Sequence, residues 1–372
     1  MFEPKFIITQ QILKNIGTIE GAKEVIERAA LVPMYEADFR REALIRTVHF
    51  GTKLEGNDLS LTEAERVIEG PSFASATSRR LPIRPFRDSD ATAGERDRNV
   101  QEVINYREVM AYLDRLKEKA DKKEEWRYSE GQLKKIHRLT VARILPENQG
   151  GEYRRTQVVV RNLRTQEISF RPPPAVEVSY QVEDFLSWLN SVRGREVHPV
   201  LRAGITHYEL ARIHPFVDGN GRAARAYTLL VLFLEGYEVK KFFSLEEYYD
   251  RYPKNYYEAL QSVEKMGGNE TVWLEFFVEG LKQELVRIKE QVIKLSAQVQ
   301  SLPQQIALTN RQIQILEAMK ARGGQITTKE AKEVVRMVSG DTIIRDLNDL
   351  IKKEVVKKQG STKASKYILV GE

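Results

Sequence analysis

The stretch His214-Pro215-Phe216-Val217-Asp218-Gly219-Asn220-Gly221-Arg222-Ala223-Ala224-Arg225 decides how this chain is read. Helical spacing of apolar residues runs up to it from about Val200 to Ile213 and away from it to Leu234, so it joins two helices. The second helix opens at Asn220, Gly221 and Arg222. Backbone N–H groups at such a start lack intrahelical acceptors and, with the helix dipole, make an anion site. Gly219 and Gly221 let a bulky anion approach the backbone. Arg222 and Arg225 lie three apart, so both planar guanidinium groups reach one side of the helix, and their fork suits phosphate oxygens. Asp218 is a hard oxygen ligand beside that site, the usual place for Mg²⁺. His214 precedes the turn and is the side chain here whose pKa suits a general base. Two arginines on a helix, or Gly-Asn-Gly in a turn, are ordinary when met alone. Together the twelve residues supply a polyphosphate cradle, a metal ligand and a base, which is the equipment for nucleotidyl or phosphoryl transfer to a hydroxyl.

Working outward, the helix after the loop is apolar nearly all round and closes at Gly236, which predicts a buried central helix. Upstream, Thr156–Val160 is β-branched and Glu167–Phe170 follows a polar turn, with Pro172–Pro174 as a stop; this is a β-hairpin signal in a helical region. Helices are expected at 179–191, 129–143 and 97–118, and through most of residues 1–60. Ser60-Leu61-Thr62-Glu63 reads as a capping box opening a helix to Ile68. Residues 71–95, rich in Pro, Ser, Thr, Arg and Asp, read as a long surface loop. A long helix starts at Thr271, and Leu281, Leu285, Ile288, Val292, Leu295, Val299 and Leu302 form an a/d seam. Either a homodimer seam or a strut packed on its own chain fits, the strut being preferred. Beyond Pro303, three helical segments (311–321, 328–338, 341–353) precede two short strands near Val355 and Tyr367. The expected fold is mainly α, divided as 1–100, 101–280, a linking helix at 281–308 and a small α/β domain at 309–372.

The chain has 372 residues, no cysteine and a net charge of +6. Disulfides, thiolate metal sites and cysteine nucleophiles are excluded. Met1–Gln10 does not read as a signal peptide and no apolar run spans a bilayer, so a cytoplasmic protein with no membrane partner is expected. The charge excess is mild and serves an ATP site as well as a nucleic-acid surface.

The 214–225 string resembles the signature of the Fic/DOC family, His-Pro-Phe-x-Asp/Glu-Gly-Asn-Gly-Arg-x-x-Arg, at every fixed position, and the likeness runs from about residue 30 to 280. The resemblance implies a protein adenylyltransferase that uses ATP and Mg²⁺. His214 would deprotonate the target hydroxyl and Asp218 would hold the metal. Gly219, Asn220, Gly221 and Arg222 would surround the α-phosphate, and Arg222 and Arg225 would hold the β- and γ-phosphates. The 156–170 hairpin resembles the family's flap, which aligns a target segment by strand addition. Tyr256 and Tyr257 fall where the family puts its adenine pocket. Thr52-Lys53-Leu54-Glu55-Gly56-Asn57 resembles the family's inhibitory helix, whose glutamate pairs with the second arginine of the loop; here that pair is Glu55 and Arg225. Gly51 stands where the family has Ser or Thr, which predicts a weakened helix and some basal activity. Residues 326–347 resemble a winged helix-turn-helix, with Lys357, Lys358, Lys363 and Lys366 around the wing. Its third helix has an even balance of charge, so a DNA partner and a protein partner stay equally open. Expected partners are ATP, a protein bearing a Tyr, Thr or Ser hydroxyl, and the chain itself as a target. The alternatives are a DNA-binding regulator that senses nucleotide, and a Fic enzyme that uses another phosphate-containing donor or removes AMP.

Overall fold

The computed structural model describes residues 2–29, 31, 33–70, 91–122, 126–161, 168–300, 308–335, 338–360 and 365–370. Residues 71–90 of the expected surface loop lie outside these, as do Leu302, Pro303 and Lys363; residues 91–95 are helical rather than looped. The elements in order are α1 (Gln10–Arg28), α2 (Pro33–Lys53), α3 (Leu61–Glu69), α4 (Ala91–Ala120), α5 (Glu130–Thr140), β1 (Val160–Arg161), β2 (Ile168–Phe170), α6 (Val178–Leu189), α7 (Val192–Glu196), α8 (Pro199–Ile213), α9 (Asn220–Leu234), α10 (Leu245–Arg251), α11 (Pro253–Lys265), α12 (Thr271–Gln300), α13 (Asn310–Lys320), β3 (Gln325–Thr327), α14 (Thr328–Val334), α15 (Gly340–Lys352), β4 (Val356–Gln359) and β5 (Lys366–Leu369). The fold is mainly helical, and it divides into two units: Met1–Glu27 with Glu42–Lys289, and Arg28–Arg41 with Glu290–Glu372.

In the first unit α9 is the axis. Every residue from Arg222 to Phe233 is buried, and the helix packs on α8, α5 and α4. Its all-round apolar character follows from having neighbours on each side. Gly236, at φ 80°, ends it. The capping box at Ser60 forms as read, and Ser129 makes a second one at the start of α5. β1 and β2 pair antiparallel through Val160↔Phe170 and Arg161↔Ile168, a shorter ladder than the pattern suggested. Leu281, Leu285, Ile288 and Val292 of the seam have no exposed surface in this chain.

In the second unit the three helices α13, α14 and α15 close around a core that includes Ile315, Met319, Ile343, Leu347 and Tyr367. They carry a three-stranded antiparallel sheet in the order β3-β5-β4. β3 was not expected from the sequence, because three residues after Gly323-Gly324 are too few to show an alternation.

Candidate active site

His214 is the residue at which α8 stops. It takes a left-handed conformation, φ 50° and ψ 60°, while its N–H still donates to Leu210 O at 3.1 Å. A side chain at positive φ is strained and needs to be held. Two devices hold this one. Asn220 clasps the loop from within: its Oδ1 accepts from Phe216 N–H at 2.8 Å and its Nδ2 donates to Phe216 O at 2.9 Å. Phe216 is fully buried and its ring stacks on His137, with centroids 3.7 Å apart and an interplanar angle of 1°. His137 in turn accepts from Gly151 N–H at Nδ1 (2.9 Å) and lies 2.9 Å from Asp218 O through Nε2, which fixes Nε2 as its protonated nitrogen. Burial pushes the pKa of His137 down to about 4, so it stays neutral and keeps both bonds.

The His214 imidazole is itself polarised. Nδ1 lies 3.3 Å from Ala211 O, an acceptor that favours a proton on Nδ1 and leaves Nε2 with a lone pair. Burial lowers its pKa below the ordinary imidazole value; the Ala211 carbonyl, Glu55 and Asp218 oppose that shift and Arg154 adds to it. A neutral imidazole with a free Nε2 is the form a general base needs.

The charges of the loop meet partners from the N-terminal helices. Arg225 is buried, and its Nη2 donates to Glu55 Oε1 and to Gly51 O, both at 2.8 Å. Arg222, also buried, has Nη1 3.2 Å from Glu102 Oε1. Asp218 accepts from Gly219 N–H at 2.6 Å, and its other oxygen lies 3.2 Å from Arg98. Arg98 also reaches Glu102, so Asp218, Arg98, Glu102 and Arg222 form one chain of alternating charge. The Nε atoms of Arg222 and Arg225 are buried without a hydrogen-bond partner among the described residues. Such orphan donors are costly in a finished core and ordinary where a ligand is to arrive.

Glu55 lies where the α2 backbone turns out of its helix. Gly56 has φ 95°, its N–H bonds Lys53 O, and Asn57 N–H bonds Thr52 O, the double closure of a Schellman turn. The Glu55 carboxylate lies over the first turn of α9: a Cβ added at Gly221 would stand 2.1 Å from Oε1. A carboxylate therefore stands beside Gly221, close to the helix start at which the sequence reading expects an anion. The reading of Gly51 as a weak point is corrected. Its Cβ would meet the Tyr106 ring at 2.4 Å, and Tyr106 is fully buried, so glycine is what this packing requires. Tyr256 is buried, with its hydroxyl 2.9 Å from His207 Nε2 and its ring stacked on Tyr249. Tyr257 is about half exposed, and its hydroxyl donates to Leu54 O at 3.4 Å.

Arg98, Glu102, His137 and Arg154 were not singled out from the sequence as parts of this site. His137 and Arg154 bond mainly to backbone groups, which any residue type supplies, so no spacing marks them. Arg98 and Glu102 carried a usable signal, two opposite charges four apart on a helix, but that pattern is common on solvated faces.

A helical unit whose central helix begins at such a loop defines a Fic-type fold. Residues 127–232 match the Fic/DOC family, and the chain carries a domain of that family there. Curated relatives called protein adenylyltransferase Fic are 27% identical over 216 residues in Drosophila grimshawi and 29% over 198 residues in Culex quinquefasciatus. These alignments cover 57% and 53% of this chain, and the chain spans 38% and 33% of those relatives' lengths. Among solved structures, a Fic family protein from Desulfovibrio desulfuricans G20 aligns over 100% of this chain and 99% of its own, with TM-score 0.61 at 23% identity. Fic-1 of C. elegans aligns over 78% of this chain and 73% of its own, with TM-score 0.55 at 22% identity. No helix among the described residues is long and apolar enough to cross a membrane.

Proposed function

We propose that this chain transfers AMP from ATP to a Tyr, Thr or Ser hydroxyl of a protein, itself included, and that Glu55 holds it off. His214 Nε2 takes the hydroxyl proton; the oxygen forms a bond to the α-phosphorus, the bond to the β-phosphate oxygen breaks, and pyrophosphate leaves. The N–H groups at Asn220, Gly221 and Arg222 bind the α-phosphoryl oxygens, while the Gly219 N–H holds Asp218 in place and the Asn220 side chain keeps the loop closed. Arg222 and Arg225 hold the β- and γ-phosphates. Tyr257, beside the loop of Glu55, and Tyr256 behind it border the adenine. Asp218 is partly exposed and pairs with Arg98 at the surface, so its carboxylate could turn to Mg²⁺, with phosphates and water completing the shell. That ion would neutralise phosphate charge.

The observation that carries this reading is the Glu55 carboxylate seated on Gly221 and paired with Arg225, an anion standing where a phosphate would. It is tested with ATP labelled at either end. Label should reach protein from the α position and not from the γ position. Transfer from the γ position would mean a kinase and would end the proposal.

One observation favours a second activity in the C-terminal unit. Between 309 and 372 there are thirteen Lys and Arg against eight Asp and Glu, so most of the chain's excess charge falls there. On α15, Asp346 pairs with Arg311 and Asp349 accepts from Gln312, so two of its acids already have partners within the unit. Arg345, Asn348 and Lys352 remain exposed, along with Lys357, Lys358 and Lys366 on the strands. These are residue types that contact phosphates and base edges. Anisotropy of a labelled mixed-sequence duplex should rise on binding at low salt and lose most of that signal as salt is raised. A flat titration at low salt removes the DNA reading.

A further inference from the structure

Arg154 is buried, yet its guanidinium is spent on backbone carbonyls rather than on a carboxylate. Nε donates to His214 O at 2.8 Å and Nη2 to Pro173 O at 2.6 Å. Longer contacts of 3.4 Å run from Nη2 to Ile213 O and from Nη1 to Thr156 O. Its own N–H donates to Pro215 O at 2.9 Å. Ile213 and His214 end α8, where carbonyls lack helical partners and a cation meets the negative end of the dipole. An ordinary cap would stop there. Thr156 and Pro173, however, are the two feet of the β1–β2 hairpin, and Gln157 Nε2 ties the feet together at Pro172 O, 2.8 Å away. One rigid fork thus spans the residue in the left-handed conformation and both ends of the hairpin.

We infer that Arg154 is a positioning residue: it sets the His214 imidazole at a fixed place relative to the hairpin that presents the target hydroxyl. The inference rests on the AMP-transfer reading and adds to it a mechanical link between target alignment and the base. In-line attack tolerates little displacement, and a shift of about 1 Å costs on the order of 10²-fold in rate. Lysine at this place keeps the charge and the dipole contact but has no planar fork with which to reach four carbonyls on three segments. Glutamine removes the charge that stands near the imidazole.

The test is made in the full chain carrying Glu55→Gly, with Arg154→Lys and Arg154→Gln added singly. Arg154→Lys should lower kcat for AMP transfer about tenfold or more, with the Kd for ATP and the melting temperature close to the parent's. Arg154→Gln should in addition raise the pKa of His214, followed by NMR of the ring protons of the five histidines. An unchanged kcat in Arg154→Lys, or a loss that only tracks the folded fraction, overturns the inference and leaves Arg154 a helix cap. A Glu55→Gly parent that does not transfer AMP refutes the reading beneath it. The His214 titration still decides the contact in that case: a pKa unmoved by Arg154→Gln shows that the guanidinium does not act on the imidazole.

Discussion

His214→Ala is expected to bind ATP and fold as the parent does, and to transfer AMP about 10²–10⁴-fold more slowly. The fold should survive because the imidazole makes a single hydrogen bond among the described residues, from Nδ1 to Ala211 O, and the loop is held by Asn220, Phe216 and Arg154 instead. ATP binding should survive because the phosphate-facing groups are on α9. Alanine keeps the cost of the left-handed backbone at this position, so the substitution isolates the base. The pH profile gives an independent check. Burial lowers the His214 pKa, so the protonated, inactive form should appear only below the ordinary imidazole range. The parent should therefore hold its rate as pH falls through neutrality and lose it at more acidic pH. Transfer by His214→Ala within a few fold of the parent, measured on the Glu55→Gly background with α-labelled ATP, would assign the proton to another group.

How much of this was legible in the sequence follows from which partner each residue has. The place of the loop between two helices was readable from the apolar spacing on either side of it, and the ion pair Glu55–Arg225 was readable through the family resemblance. α9 was readable because complete burial writes itself as an unbroken apolar run. What supports the loop was not readable. His137 acts through a ring stack and two backbone bonds, and Arg154 through backbone carbonyls on three segments, none of which constrains the identity of a neighbour in sequence. Gly51 was misjudged for the same reason: glycine costs about 1 kcal/mol against alanine inside an isolated helix, but here the Tyr106 ring fills the space of the missing Cβ. Asp218 shows a further limit. Its carboxylate type was legible, but its pairing with Arg98 crosses 120 residues of sequence.

Glu55→Gly should raise AMP incorporation by about ten- to a hundredfold over the unmodified chain. Arg225 is buried and gives Nη2 to Glu55 Oε1 at 2.8 Å, so the guanidinium that should bind a terminal phosphate is already engaged. The carboxylate also stands over Gly221, in the path of any phosphate approaching the first turn of α9. A charge-assisted hydrogen bond of this kind is worth about 1.5–3 kcal/mol, and each 1.4 kcal/mol is about a factor of ten, which sets the expected range. Arg225→Ala should not reproduce the gain, because it removes the phosphate contact together with the inhibitory one. The double variant should behave as Arg225→Ala does, since residues in one contact are not additive. The close fit of Gly51 against Tyr106, and its carbonyl bond to Arg225, remove the reason to expect the helix to open spontaneously, so the unmodified chain should show a low rate. Initial rates of α-labelled AMP incorporation for the four proteins at equal concentration decide the matter. An unchanged rate for Glu55→Gly would make Glu55 a helix-end residue whose contact with Arg225 has no regulatory weight; a high rate in the unmodified chain would mean that the ion pair opens readily despite the packing around Gly51.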